Sequence, residues 1–77
     1  MGNTLADVLV HVNENMDEAT LRGIEQDMRN DVGVISVGHR TGQAHLLMVV
    51  YDSGVTHAAS LLQPLRAQGL HAQVIGL

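Results

Sequence analysis

The chain has 77 residues, no cysteine, Tyr51 as its only Phe, Trp or Tyr, and four basic against eight acidic side chains, for a formal net charge of −4. The missing cysteines exclude disulfides, thiolate metal sites and cysteine nucleophiles, and the charge balance with a lone aromatic argues against nucleic-acid binding, which needs a basic surface and stacking rings. The length bounds one small domain, residues 1–77, whose single core leaves only a few kcal/mol of net stability.

Val8, Val10 and Val12 alternate with Leu9 and His11, a period of two that predicts a strand with one buried face. Asn15, followed three residues later by Glu18, offers a variant of the capping box for a helix. Leu21, Ile24 and Met28 recur at helical spacing, which assigns Arg22, Glu25, Gln26 and Arg29 to the opposite, solvated face. Asn30 to Gly33 ends this helix, and the β-branched run that follows is a second strand. His39-Arg40-Thr41-Gly42-Gln43 supplies turn residues, so Val34 to Gly38 and Ala44 to Tyr51 are expected to form a hairpin. The run Ala44 to Tyr51 is apolar at both parities, which requires cover on both faces or an apolar neighbour on the outer one.

Asp52-Ser53-Gly54 is a turn, after which Ser53 or Thr56 can cap a second helix reaching Gln68, with Ala58, Leu61, Leu62 and Leu65 as its apolar face and Gly69 as its stop. Pro64 cannot donate to the carbonyl of Ser60 and crowds that turn, so a kink or two short helical pieces are expected. Leu70 to Gly76 is the last strand. The order β-α-β-β-α-β predicts an α+β, ferredoxin-like βαββαβ sandwich. Its four-stranded antiparallel sheet runs in the order 4-1-3-2, with both helices on one face and the other face open.

The segments VLVHV, LRGIEQDM, GVISV, VVYDSGV and LRAQGLHAQVI, in this order and spacing, resemble the heavy-metal-associated domain of copper chaperones and metal-transporting P-type ATPases. The resemblance covers nearly the whole chain and implies the same fold, with a metal loop between the first strand and the first helix. In that family the loop reads Gly-Met-x-Cys-x-x-Cys. Counting back from Ile24 and Glu25, the two cysteine positions fall on Asp17 and Thr20, and Glu14 and Asn15 stand where Gly and Met would be. Asp and Thr do not supply the soft thiolates that hold Cu(I), so the resemblance implies the fold without the copper chemistry.

Five histidines suggest another ligand set. In this topology His11, His39, His45 and His71 fall at the end of the sheet that carries the metal loop, and His57 at the other. Parity expects His11 and His71 to project from the open face on adjacent strands, where they can ligate Zn, Cu(II) or Ni(II) with a third ligand from His45, Met48, Glu14 or Asp17. The metal candidates are therefore His11, His71, Asp17 and His45; the alternative is a set of solvated surface histidines.

Leu9, Leu46, Met48, Val50 and Ile75 are expected on the same open face, an apolar extent rarely left in water on a small domain. They form a candidate interface for a homodimer or a partner domain. No catalytic triad order, Gly-rich phosphate cradle or HExxH motif occurs, and the expectation is a non-enzyme. No apolar run reaches the ~20 residues of a membrane span and the N-terminus lacks signal-peptide character; a soluble cytoplasmic location is expected. Two functions follow: transition-metal binding or trafficking through His-centred ligands, or metal-independent dimerisation through the open face.

Overall fold

A computed structural model of the chain describes residues 4–40, 42–43 and 45–76. The elements are β1 (Leu5–Val12), α1 (Glu18–Arg29), β2 (Val34–Gly38), β3 (Leu46–Asp52), α2 (Ala58–Leu61), α3 (Gln63–Ala67) and β4 (Ala72–Gly76). The four strands form one antiparallel sheet in the order β2-β3-β1-β4, which is 4-1-3-2 read from the other edge. This is the ferredoxin-like βαββαβ fold.

Register decides which side chains are buried. Val8, Val10 and Ala6 of β1 pair with Val49, Leu47 and Tyr51 of β3 on the helix side, and the valines, Leu47, Val49 and Tyr51 are all buried there. Leu21, Ile24 and Met28 of α1 and Leu61, Leu62 and Leu65 of the second helical arm close over them as one core. Each such side chain is worth about 1.5–3 kcal/mol when fully buried. The opposite pairs, Leu9 with Met48, His11 with Leu46 and Asp7 with Val50, lie on the face that no helix covers.

Pro64 divides the second arm. α2 ends at Leu61 and α3 begins at Gln63 with the proline in its first turn, where the missing N–H costs nothing. Neither Ser53 nor Thr56 caps α2. His57 occupies the cap position without a side-chain bond, and the Thr56 hydroxyl donates instead to Asp31 Oδ2 at 2.8 Å. That bond ties the second arm to the exit of α1. Gly33 lies in the same spot, where a Cβ would sit 2.6 Å from Thr56 Cγ2; only glycine allows this approach.

Three further expectations are corrected. The cap of α1 is Asp17, whose Oδ1 accepts from the Thr20 N–H at 2.8 Å; Asn15 is drawn away to a histidine. Glu25 is not on the solvated face but only 7 % exposed, because the inward stripe of α1 is wide enough to take it beside Leu21 and Met28. β4 starts at Ala72, and His71 precedes it. The expected first residue of β3, Ala44, and the turn residue Thr41 lie outside the described residues, as do Met1 to Asn3; the described strand begins at Leu46.

Candidate metal centre

β1 ends in Val12, and the backbone N–H of Val12 donates to the carbonyl of His45 at 2.9 Å. This one bond beyond the regular ladder fixes His45 at the mouth of β3. The His45 side chain returns the contact, its Nδ1 lying 2.8 Å from the carbonyl oxygen of Val12. A carbonyl only accepts, so Nδ1 carries the proton. Nε2 lies 3.0 Å from the side-chain amide of Asn15. The amide atom facing it is Oδ1, an acceptor; it takes a hydrogen bond from Nε2–H when the ring is doubly protonated, whereas rotating the amide, whose oxygen and nitrogen ends are interchangeable, turns its NH2 toward the lone pair of the neutral ring. A backbone carbonyl on one ring nitrogen, leaving the other as a lone-pair donor, is the arrangement that orients ligating histidines.

His11 lies beside it. The two imidazole centroids are 6.2 Å apart with their planes 23° from parallel. His11 Nδ1 is buried and has no hydrogen-bond partner among the described residues, an expensive condition for a polar atom. Two imidazoles bound to one ion at metal–nitrogen distances of about 2.0–2.1 Å have centroids at most roughly 6 Å apart, so the rings must move closer and turn their lone pairs toward a common point to share one. Among the described residues, no group of three or more His, Cys, Asp or Glu side chains is placed to hold a metal ion.

The other candidates are engaged elsewhere. His71 donates its backbone N–H to Glu14 Oε1 at 2.8 Å and its Nδ1–H to Glu14 Oε2 at 2.5 Å, while its carbonyl accepts from Asn13. The His71 side-chain bond, then its backbone bond, hold the Glu14 carboxyl below the usual range. Asp17 is held low by its Thr20 backbone and side-chain bonds. On β4 the residue opposite His11 is Gln73 rather than His71, so the two histidines do not stand side by side on the sheet. His39 points to the helix side, with Nδ1 2.9 Å from Glu25 Oε2. Met16 packs against the core, and Met48 is 45 % exposed on the open face.

The loop Asn13 to Asp17 is thus pinned at three places, to His45 by Asn15, to His71 by Glu14 and to its own helix by Asp17. Asn15 was not among the candidate residues. Its sequence signals are the cap pattern with Glu18 and its place where the resembled family has a loop methionine, and neither points to His45.

No family model matches the chain and no curated protein resembles it in sequence. Solved structures do resemble it in shape. A copper-binding domain from HMA7, a P-type ATPase, superimposes with a TM-score of 0.80 at 18 % identity, covering 91 % of this chain and 93 % of that one. Oxidised MerP from Ralstonia metallidurans gives 0.79 at 17 % identity, over 91 % and 96 % of the two chains. The yeast copper transporter domain CCC2A, solved in apo and Cu(I)-loaded states, gives 0.77 at 21 % identity over 91 % and 94 %. At these identities the likeness is one of fold, and the chain has the fold of heavy-metal-associated domains. No helix among the described residues is long and apolar enough to cross a membrane.

Proposed function

We propose that this domain binds a borderline divalent transition ion, Zn(II), Cu(II) or Ni(II), through the imidazoles of His11 and His45, and acts in metal handling rather than catalysis. The observation that carries the reading is the paired state of these rings: His45 held as an Nδ1 donor on Val12 beside a His11 whose Nδ1 has no partner among the described residues. Imidazole nitrogens suit these ions, and the lack of cysteine removes the thiolate ligands that favour Cu(I). The fold likeness to a copper-binding domain of a P-type ATPase and to MerP supports the reading, since His11 and His45 adjoin the loop before α1, the loop that carries metal in the resembled family.

Asn15 must yield His45 Nε2 to the ion. His71 and Asp17 complete the ligand set only by giving up Glu14 and the α1 cap, so they rank behind the two imidazoles. We assign the domain to the cytoplasm, where exchangeable metal is handed between proteins. Calorimetric titration with each ion tests the assignment. His11→Ala and His45→Ala should each weaken binding at least tenfold, while His71→Ala leaves it within about threefold. Equal affinity of all four proteins contradicts it.

A further inference from the structure

The uncovered face of the sheet has two features that belong together. Its middle is apolar: Leu9 and Met48 face each other across β1 and β3, flanked by Leu46, Val50 and Ile75, and Met48 and Ile75 are 45 % and 49 % exposed. Its two ends carry opposite charge. Toward the β2-β3 turn a cavity of about 270 Å³ is lined by Leu9, Leu46 and Met48 with Arg40 and Gln43. Toward the start of β1 a second, of about 200 Å³, is lined by Leu9 and Met48 with Asp7. Asp7 and Arg40 are both exposed, and neither takes part in an ion pair among the described residues.

The register gives these charges a symmetric placement. Leu9, Met48 and Gly38 stand at one level of the sheet. Asp7 lies two residues below that level on β1, and Arg40 two residues above it beyond β2, each about 7 Å away along the strands. A two-fold axis lying between two facing sheets and crossing the strands at this level exchanges the ends. It sets Leu9 and Met48 of one copy over those of the other, and brings Arg40 of each to the level of the other's Asp7. The alternative two-fold, along the strands, sets Arg40 toward Arg40 and Asp7 toward Asp7, which like-charge repulsion disfavours.

From this we infer that the open face docks a second copy of the same chain, in an antiparallel, isologous dimer with an apolar Leu9–Met48 centre and two Arg40–Asp7 pairs at its rim. Sheets packed this way lie about 10 Å apart, and β3 between β2 and β1 adds about 10 Å sideways, so Arg40 meets the other copy's Asp7 by leaning over β3, where it already lines a cavity with Leu9. A patch about 20 Å by 17 Å on each copy buries on the order of 700 Å² in total, below the ~1,200 Å² of stable interfaces. The dimer is therefore weak and forms only at high concentration.

Sedimentation of the whole chain from micromolar to millimolar concentration, in chelator so that no metal bridges the copies, tests this. The protein should pass from monomer to dimer. Met48→Glu should remain monomeric, and Asp7→Arg and Arg40→Asp should each weaken association at least threefold. The double charge swap Asp7→Arg/Arg40→Asp should restore it, since each reversed charge again meets its opposite. All three substituted positions are exposed, and amide spectra check that each of the four variants is folded. A parent that stays monomeric throughout overturns the inference. So does a charge swap as weak as the single variants, because it shows that Arg40 and Asp7 do not meet.

Discussion

The carboxylate of Glu25 and the imidazole of His39 meet at 2.9 Å on the helix side of the sheet, with the glutamate side chain only 9 % and the histidine 20 % exposed. One turn further along α1, Arg29 donates to the carbonyl of Val37 at 2.8 Å. Together they fasten the helix to the end of β2.

Removing His39 strands a buried carboxylate, which is costlier than losing both partners. His39→Ala should lower unfolding free energy by about 1–3 kcal/mol in urea titration. A double-mutant cycle with Glu25→Ala should then show a coupling of at least ~0.5 kcal/mol. Additive losses would mean the two groups do not support each other.

Two glycines should respond in opposite directions. At Gly33 a methyl group meets Thr56 Cγ2 at 2.6 Å and its Cβ at 2.9 Å, so Gly33→Ala must push the second helical arm and should cost about 1–3 kcal/mol. Gly23 sits inside α1 with nothing within 4 Å of an added Cβ. There Gly23→Ala should stabilise by about 0.5–1 kcal/mol, the helix-propensity difference. Thermal melts of the pair read both signs at once.

Acid should loosen the junction of β1 and β3. Asp52 Oδ1 accepts from the Thr4 hydroxyl at 2.7 Å and from the Gly54 N–H at 2.9 Å, and these bonds hold its carboxyl below the usual 3.8. A folded value below the unfolded one means stability that is present above about pH 3.8 and lost as pH falls through the lower, folded value. Asp52→Asn removes this contribution. The stability difference between parent and variant should therefore shrink as pH drops below about 3.8; a constant difference down to pH 2 would show that the carboxylate charge contributes nothing.

Much of this fold was legible because β1 states its own parity. Val8, Val10 and Val12 define the buried side, and the apolar run of β3 could then be divided correctly into Leu47 and Val49 inward, Leu46, Met48 and Val50 outward. Pro64 announced the break between α2 and α3. What failed had no local tie-break. Asn15 and Asp17 are both good caps, and the choice fell to Asp17 because His45, thirty residues on, draws Asn15 away. Glu25 reads as outward because the stripe of Leu21, Ile24 and Met28 does not claim it, and a partner from β2 cannot be read from the helix alone. His71 was placed in a strand by alternation that continues one residue past its hydrogen-bonded start. The pairing of His11 with His45 depends on how the β2-β3 turn delivers its last residue, and no spacing within the sequence expresses that.

The central claim is that His11 and His45 form the metal site. Its most direct test is imidazole ¹H–¹⁵N correlation NMR of the metal-free chain, followed through titration with Zn(II), Ni(II), Cu(II) and Cu(I). Before metal, His45 should show the Nδ1-protonated tautomer fixed by Val12. With Zn(II), the ring nitrogens of His11 and the Nε2 of His45 should shift saturably while His57, at the far end of the fold, stays still; paramagnetic Cu(II) and Ni(II) should broaden the same resonances first. Shifts spread equally over all five histidines, or none with any of the four ions, would contradict the account.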